Sequence, residues 1–440
     1  MTILNESGIP DVLSPLQAVG GLAERLPDAF IVVVGTRSEA YLAQSLSADF
    51  AQEGHIRLNP HVLFAILEPG EILEEGKVAS RVVEAVAGER GVGLALLVAG
   101  PSAELLRVDT RFEARLAARR LGIPVKAVSP ESEAPGCLCT DLEDSVLGAL
   151  VEICPGVAAP REEVVAAPPK RGGFFGSFSF RDRGREPEER LPPVVLAGAL
   201  GSPKAGRELA AELRGAGIEV AGSVPGESAV DLPPIDEGTV VALADPYLSA
   251  TSRAVEERGA RVVRTLAPIG VDGTARFIRD VAGAIGREYD EPVRAREVRS
   301  KLEHLRSRMR GKRIFFAGDT GLEIPVARFL ADAGAVVLEV GAPRLDRRAL
   351  ADEIKALGSD VDVVESPDWR GQIERADAAR PDVVVASPGL YVPMVARGHL
   401  CRSSLDLLRT GIHGYDGARR ILELFVRTFE RAEALDSVNL

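Results

Sequence analysis

Short, continuous apolar runs recur along the chain, each closing on a glycine or small residue and leading into a helical pattern. Phe30–Gly35 (FIVVVG) and Leu94–Gly100 (LALLVAG) contain no polar position, which predicts strands buried on both faces of a sheet. Val125–Val128 predicts a further strand, and apolar residues at helical spacing over Arg111–Leu121 predict the helix before it. A second series opens at Pro193–Gly198 (PVVLAG). It continues with a helix at Lys204–Ala216, a strand at Val240–Leu243, a helix at Ser249–Arg258 and a strand at Arg261–Val263. A third opens at Arg313–Gly318 (RIFFAG), with a helix at Leu322–Ala333 and strands at Ala335–Val340, Val361–Val364 and Asp382–Ala386. Strands alternating with helices of about 10–15 residues are βαβ units. The expected fold class is α/β: three Rossmann-like doubly wound domains with parallel sheets.

The breaks are compositional. Val157–Pro193 is rich in Pro, Gly, Arg and Glu and contains GGFFGSFSF, so it reads as a linker or surface insertion. Its Phe174, Phe175, Phe178 and Phe180 suit docking on a partner or packing on their own domain. Arg287–Arg310 has many charges and apolar residues at helical spacing, which predicts a long connecting helix. The expected divisions are residues 1–157, a linker at 158–192, then 193–290 and 291–440.

Composition narrows the function. Lys and Arg number 53 against 65 Asp and Glu, a net charge of −12, which argues against a nucleic-acid partner held through phosphates. The N-terminus lacks a basic start and a continuous apolar stretch, and the apolar runs are far shorter than the about 18–20 residues a bilayer needs, so a cytoplasmic protein with no transmembrane segment is expected. Only four cysteines occur (Cys137, Cys139, Cys154, Cys401), which excludes a disulfide framework and fits a reducing compartment. G-x-x-x-x-G-K-[ST], G-x-G-x-x-G after a strand, G-x-S-x-G and H-E-x-x-H are all absent. His55 and His61 are six apart, the wrong spacing for two ligands on one helical face. Cys137-x-Cys139 is the one metal-like spacing, with only Cys154 nearby to add a ligand.

Three constellations remain. Gly35-Thr36-Arg37-Ser38-Glu39 lies past a strand and before a helix, where a doubly wound sheet presents its ligand-facing loops; Arg37 suits an anion there, or is a surface arginine beside a capped helix. Gly318-Asp319 holds the same kind of place in the third series. Gly411-Ile412-His413-Gly414-Tyr415 is a loop before the last helix, with His413 read as structural.

Taken in order, these segments resemble the N subunit of light-independent (dark-operative) protochlorophyllide reductases, in the nitrogenase component 1 superfamily. The resemblance runs through LPDAFIVVVGTRSEAYLAQS, LLVAGPSAELLRVD, TDLEDSVLGALVEICP, ADPYLSATSRAVEERGAR, APIGVDGTARFI, GKRIFFAGDTGLEIPVARFLADAGAVVLEVGAP, GLYVPMVARGH and IHGYDGARRILELFVRTF. It implies a heterotetramer with a homologous B subunit and a tetrapyrrole substrate reduced at a ring D double bond. It also implies electrons from a separate ATP-hydrolysing iron–sulfur protein, in keeping with the missing phosphate loop. In that family a [4Fe–4S] cluster lies at the subunit interface, held by three cysteines of the N subunit and a fourth ligand from the B subunit.

The three cysteine positions fall here on Ser14, Glu39 and Gly100, and no cysteine precedes Cys137. Clusters of this kind are held by thiolates, so the usual cluster is not expected on this chain and no metal ligand is assigned. Cys154 stands where the family itself can carry cysteine. By analogy with the superfamily, the loop carrying Cys137, Cys139 and Thr140 faces the substrate side, which with Arg37 makes these the candidate substrate contacts. Arg402-Ser403-Ser404 and VPMVA replace the family's usual C-terminal pattern. Two readings follow: an N-type subunit of a protochlorophyllide-reductase-like oxidoreductase, or a clusterless paralogue acting as a binding or scaffold subunit.

Overall fold

The computed structural model describes residues 2–8, 16, 18–26, 28–48, 61–68, 70–71, 74–129, 138–156, 191–199, 203–229, 231–289, 292–358 and 361–438. Ser14, His55, Cys137 and the four phenylalanines of the linker lie outside them. The strands are β1 (Thr2–Asn5), β2 (Ala29–Gly35), β3 (Val62–Ile66), β4 (Leu94–Ala99), β5 (Val125–Val128), β6 (Val194–Ala197) and β7 (Val220–Val224). They continue with β8 (Val240–Leu243), β9 (Arg261–Val263), β10 (Arg313–Ala317), β11 (Val336–Ala342), β12 (Asp362–Glu365), β13 (Val383–Ala386) and β14 (Cys401–Ser403).

They form three sheets, ordered β3-β2-β4-β5, β7-β6-β8-β9 and β1-β12-β11-β10-β13-β14. Among the described residues every pairing between these strands is parallel. The central strands β2, β4 and β6 are buried throughout, as their unbroken apolar sequence requires. Helices cover the sheets, and the long Pro292–Met309 helix packs against the terminal Gly414–Val438 helix. Among the described residues no helix is long and apolar enough to cross a membrane.

In each sheet the strand order reverses between two central strands: β2 and β4, β6 and β8, β10 and β13. Outside the carboxyl ends of those pairs is where doubly wound folds bind ligands.

The N-terminus departs from the expected division at residues 1–157. β1 belongs to the third sheet, with Thr2 to Asn5 in register with Asp362 to Glu365. Its attachment is polar. The Glu6 carboxylate takes the Arg375 guanidinium at 2.6 Å and the Asp368 N–H at 2.8 Å. Gly8 passes so close that a Cβ would stand 2.4 Å from Asp368 N.

A buried ion pair within the third unit also holds the second through hydrogen bonds. Arg328, on the Glu323–Asp332 helix, donates from Nε to Glu353 Oε2 at 2.6 Å and from Nη2 to the Ile269 carbonyl at 2.9 Å. Glu353 Oε1 accepts from the Ala267 N–H at 2.7 Å. Removing one partner leaves a charge stranded in low dielectric. Glu353→Ala is therefore expected to cost about 3–5 kcal/mol in urea unfolding at pH 7, well above a surface substitution.

Candidate functional site

The first sheet's switch point is closed by Glu39. β2 ends at Gly35, β4 is followed by Gly100, and the Arg37–Ala48 helix begins between them in space. Glu39 reaches back over its own helix start, accepting from Thr36 N–H at 2.6 Å and Thr36 Oγ1 at 3.0 Å on Oε2. It also reaches across to the β4 side, accepting from Ser102 N–H at 2.6 Å on Oε1 and Ser102 Oγ at 2.5 Å on Oε2. Burial pushes its carboxyl upward, but the bonds from Ser102 and Thr36 together outweigh this and hold it below the ordinary glutamate value. Glu104 nearby is pushed up by burial and by the Glu39 charge. Arg37 points away, its side chain 82% exposed and 3.6 Å from Glu68, a surface pair that holds nothing at the switch point.

A cluster does not fit these residues. Glu39 has both oxygens engaged by its own chain. A Cβ on Gly100 would lie 2.9 Å from the Val34 carbonyl and 3.1 Å from Glu39 Cδ, so the space a thiolate would need there is already filled. The described cysteines offer no substitute. Burial pushes the Cys154 and Cys401 thiols up to about 11, and burial with the nearby Asp319, Glu143 and Glu323 pushes Cys139 up as well; the three do not converge. Among the described residues no three His, Cys, Asp or Glu side chains converge as a metal site.

The Cys139–Ile153 helix carries the second part of the site. Cys139 and Thr140 are buried in the junction between the units and line none of the clefts described here. The next carboxylates reach outward in three directions. Asp141 pairs with Arg344 of the third unit. Glu143 takes Arg25 of the first unit at 3.5 Å and the Tyr247 hydroxyl of the second at 3.0 Å. Asp144 caps the Ser249–Glu257 helix, accepting from Ala250 N–H at 2.7 Å, Thr251 N–H at 2.8 Å and Thr251 Oγ1 at 2.7 Å. Burial pushes Glu143 and Asp144 up despite these donors.

The other two switch points each hold a buried aspartate. Asp245, past β8, accepts from Ala199 N–H beyond β6 at 2.7 Å and is 2.5 Å from His413 Nε2. It floors a cleft of about 360 Å³ that also meets Ser249, Arg253, Thr265 and Arg348. A second cleft of about 270 Å³, lined by Arg25, Gly198, Ala199 and Arg207, opens beside β6. His413 is buried, so its contact with Asp245 ties the second unit to the start of the terminal helix. In the third unit Asp319 accepts from Ser404 Oγ at 2.6 Å.

A sequence profile of the nitrogenase component 1 type oxidoreductases matches residues 144–430. The light-independent protochlorophyllide reductase subunit N of Heliobacterium modesticaldum is 34% identical over 442 residues, covering 98% of this chain and 97% of its own. That of Roseiflexus castenholzii is 31% identical over 438 residues, covering 99% and 96%. The chain belongs to the nitrogenase component 1 type oxidoreductase family. The expected α/β fold of Rossmann-like units agrees with a solved structure, nitrogenase Cp1 at pH 6.5, which superposes with a TM-score of 0.70 at 14% identity over 98% of this chain and 93% of that one.

Within this family member, part of the site was readable in advance. Thr36-x-x-Glu39 and Thr320-x-x-Glu323 have capping-box spacing, and in both the glutamate accepts from the threonine N–H. Asp245 and His413 are 168 residues apart, and nothing local marks either as the other's partner. Asp144→Ala would strand the buried Ala250 and Thr251 donors. The expected loss is about 2–4 kcal/mol in chemical denaturation, with Asp144→Asn retaining part of it because its amide oxygen still accepts.

Proposed function

We propose that this chain is the N-type subunit of a nitrogenase-like complex that reduces a tetrapyrrole double bond in the cytoplasm. It acts with a homologous B-type chain and takes electrons from a separate ATP-hydrolysing iron–sulfur protein. One observation carries the reading: 34% identity in one collinear stretch across 98% of the chain with a protein named for that subunit. Saturating one double bond consumes two electrons and two protons, a reaction suited to an assembly whose parts divide electron supply from substrate binding.

The surface supports a partner. The two helices that Glu39 joins expose Tyr41 (73%) and Leu105 (83%), with Leu106 also in water. Large apolar side chains left in solvent beside a fixed loop junction suit coverage by another chain. The second reading, a clusterless binding or scaffold subunit, is favoured by the closed space between Glu39 and Gly100.

Leu105→Asp and Tyr41→Asp are expected to weaken binding of the B-type chain by about tenfold or more in calorimetric titration. Their circular dichroism and melting should match the parent, since both side chains are largely exposed. Unchanged affinity in both variants would place the interface elsewhere.

A further inference from the structure

We propose that Glu39 is a carboxylate clamp in place of a metal ligand, tying the β2 and β4 loops together, so that neither Glu39 nor Gly100 contributes a ligand to an iron–sulfur cluster. The inference rests on the N-type role above and adds to it: at this junction the chain's own carboxylate, and not a cluster, ties the two loops.

Four donors from this chain converge on one carboxylate, two from Thr36 and two from Ser102. Ser102 gives both its N–H and its hydroxyl, so the bridge between the two loops is bidentate on the β4 side. The two loops are linked by the very residue that the resemblance aligns with a cluster cysteine, so the linkage survives while the metal chemistry does not. Space agrees. The carboxylate lies over Gly35, where a Cβ would stand 2.2 Å from Oε2, and against Gly100, where a Cβ would stand 3.1 Å from Cδ. Ligand chemistry agrees as well, because a carboxylate is a harder donor than the iron–sulfide core prefers. Charge points the same way. A thiolate-bound cluster is anionic, and here it would face Glu39 with Glu104 close enough to feel the Glu39 charge.

The clamp also has a pH signature. The folded carboxyl titrates below its ordinary 4.5. Its stabilisation is therefore full above that value and is lost as pH falls through the depressed folded value.

The full chain, purified anaerobically alone and with its B-type partner, would be incubated with ferrous iron and sulfide, desalted, and assayed for iron, sulfide and visible absorption. The chain alone is expected to retain fewer than about one iron, with no cluster absorption. Glu39→Gln is expected to lower the denaturant midpoint at pH 7, with the gap to the parent closing on acidification below 4.5, and to leave the iron content of the complex unchanged. Ser102→Ala, which keeps the carboxylate and removes one donor, should show a smaller drop of the same kind if Glu39→Gln does not fold. About four iron and four sulfide per complex, lost in Glu39→Gln while the partner stays bound, would overturn the clamp and make Glu39 a ligand. Equal stability of Glu39→Gln and the parent at every pH would overturn it too. If the B-type chain does not bind at all, the N-type role fails, and iron uptake and stability of the chain alone still decide the clamp.

Discussion

The structure turns on one helical stretch, Asp141 to Asp144, in which three carboxylates reach three different units. Asp141 pairs with Arg344 of the third unit, Glu143 with Arg25 of the first and Tyr247 of the second, and Asp144 with the start of the Ser249–Glu257 helix. Acidic side chains are favoured near a helix N-terminus, where backbone N–H groups remain unpaired. Here that local preference supplies long-range joints. Each carboxylate is desolvated, so each depends on donors held by another part of the chain. Fewer than two helical turns thus supply joints to all three units, beside the Arg328–Glu353 pair that ties the second to the third.

A related economy governs the switch points. A doubly wound sheet leaves an opening where its strand order reverses, with unpaired backbone N–H groups at its rim. In the first and second sheets a carboxylate of the chain itself takes those donors: Glu39 accepts from Thr36 and Ser102, Asp245 from Ala199. In the third, Asp319 is buried beneath Ser404, while Glu323 accepts from the Thr320 N–H. The rims are satisfied internally, and the cleft that Asp245 lines runs from that closure toward Val263 and Thr265 on the β9 side.

The fold was legible where one physical rule dominated. Unbroken apolar runs such as FIVVVG, LALLVAG and RIFFAG can only be strands covered on both faces, and they are the centres of two of the sheets. β3, β7 and β14 escaped notice for physical reasons. β3 is half-buried, β7 is interrupted by Gly222 and Ser223, and β14 has three residues of which two are partly exposed. β1 is four residues of unremarkable sequence whose place is set by the edge of β12. In the site, the resemblance drew attention to Glu39 and Gly100, and Thr-x-x-Glu spacing explains half of what Glu39 does. Its other half, the reach to Ser102, depends on β2 and β4 lying side by side, which local pattern does not encode. The burial of Cys139 and Thr140 follows from how the three units close around one helix, which local pattern does not encode either.

The attachment of β1 also has a temporal side. Its partner strand begins at Asp362, so about 360 residues must be made before the first strand has anything to pair with. At about 5–20 residues per second, that is a wait of roughly 20–70 s on the ribosome. The β10–β11 pair can form before β12 arrives, and β1 joins only when that edge is complete. A strand made before all the others described is thus among the last to find its place, and until then the nascent chain carries it unpaired.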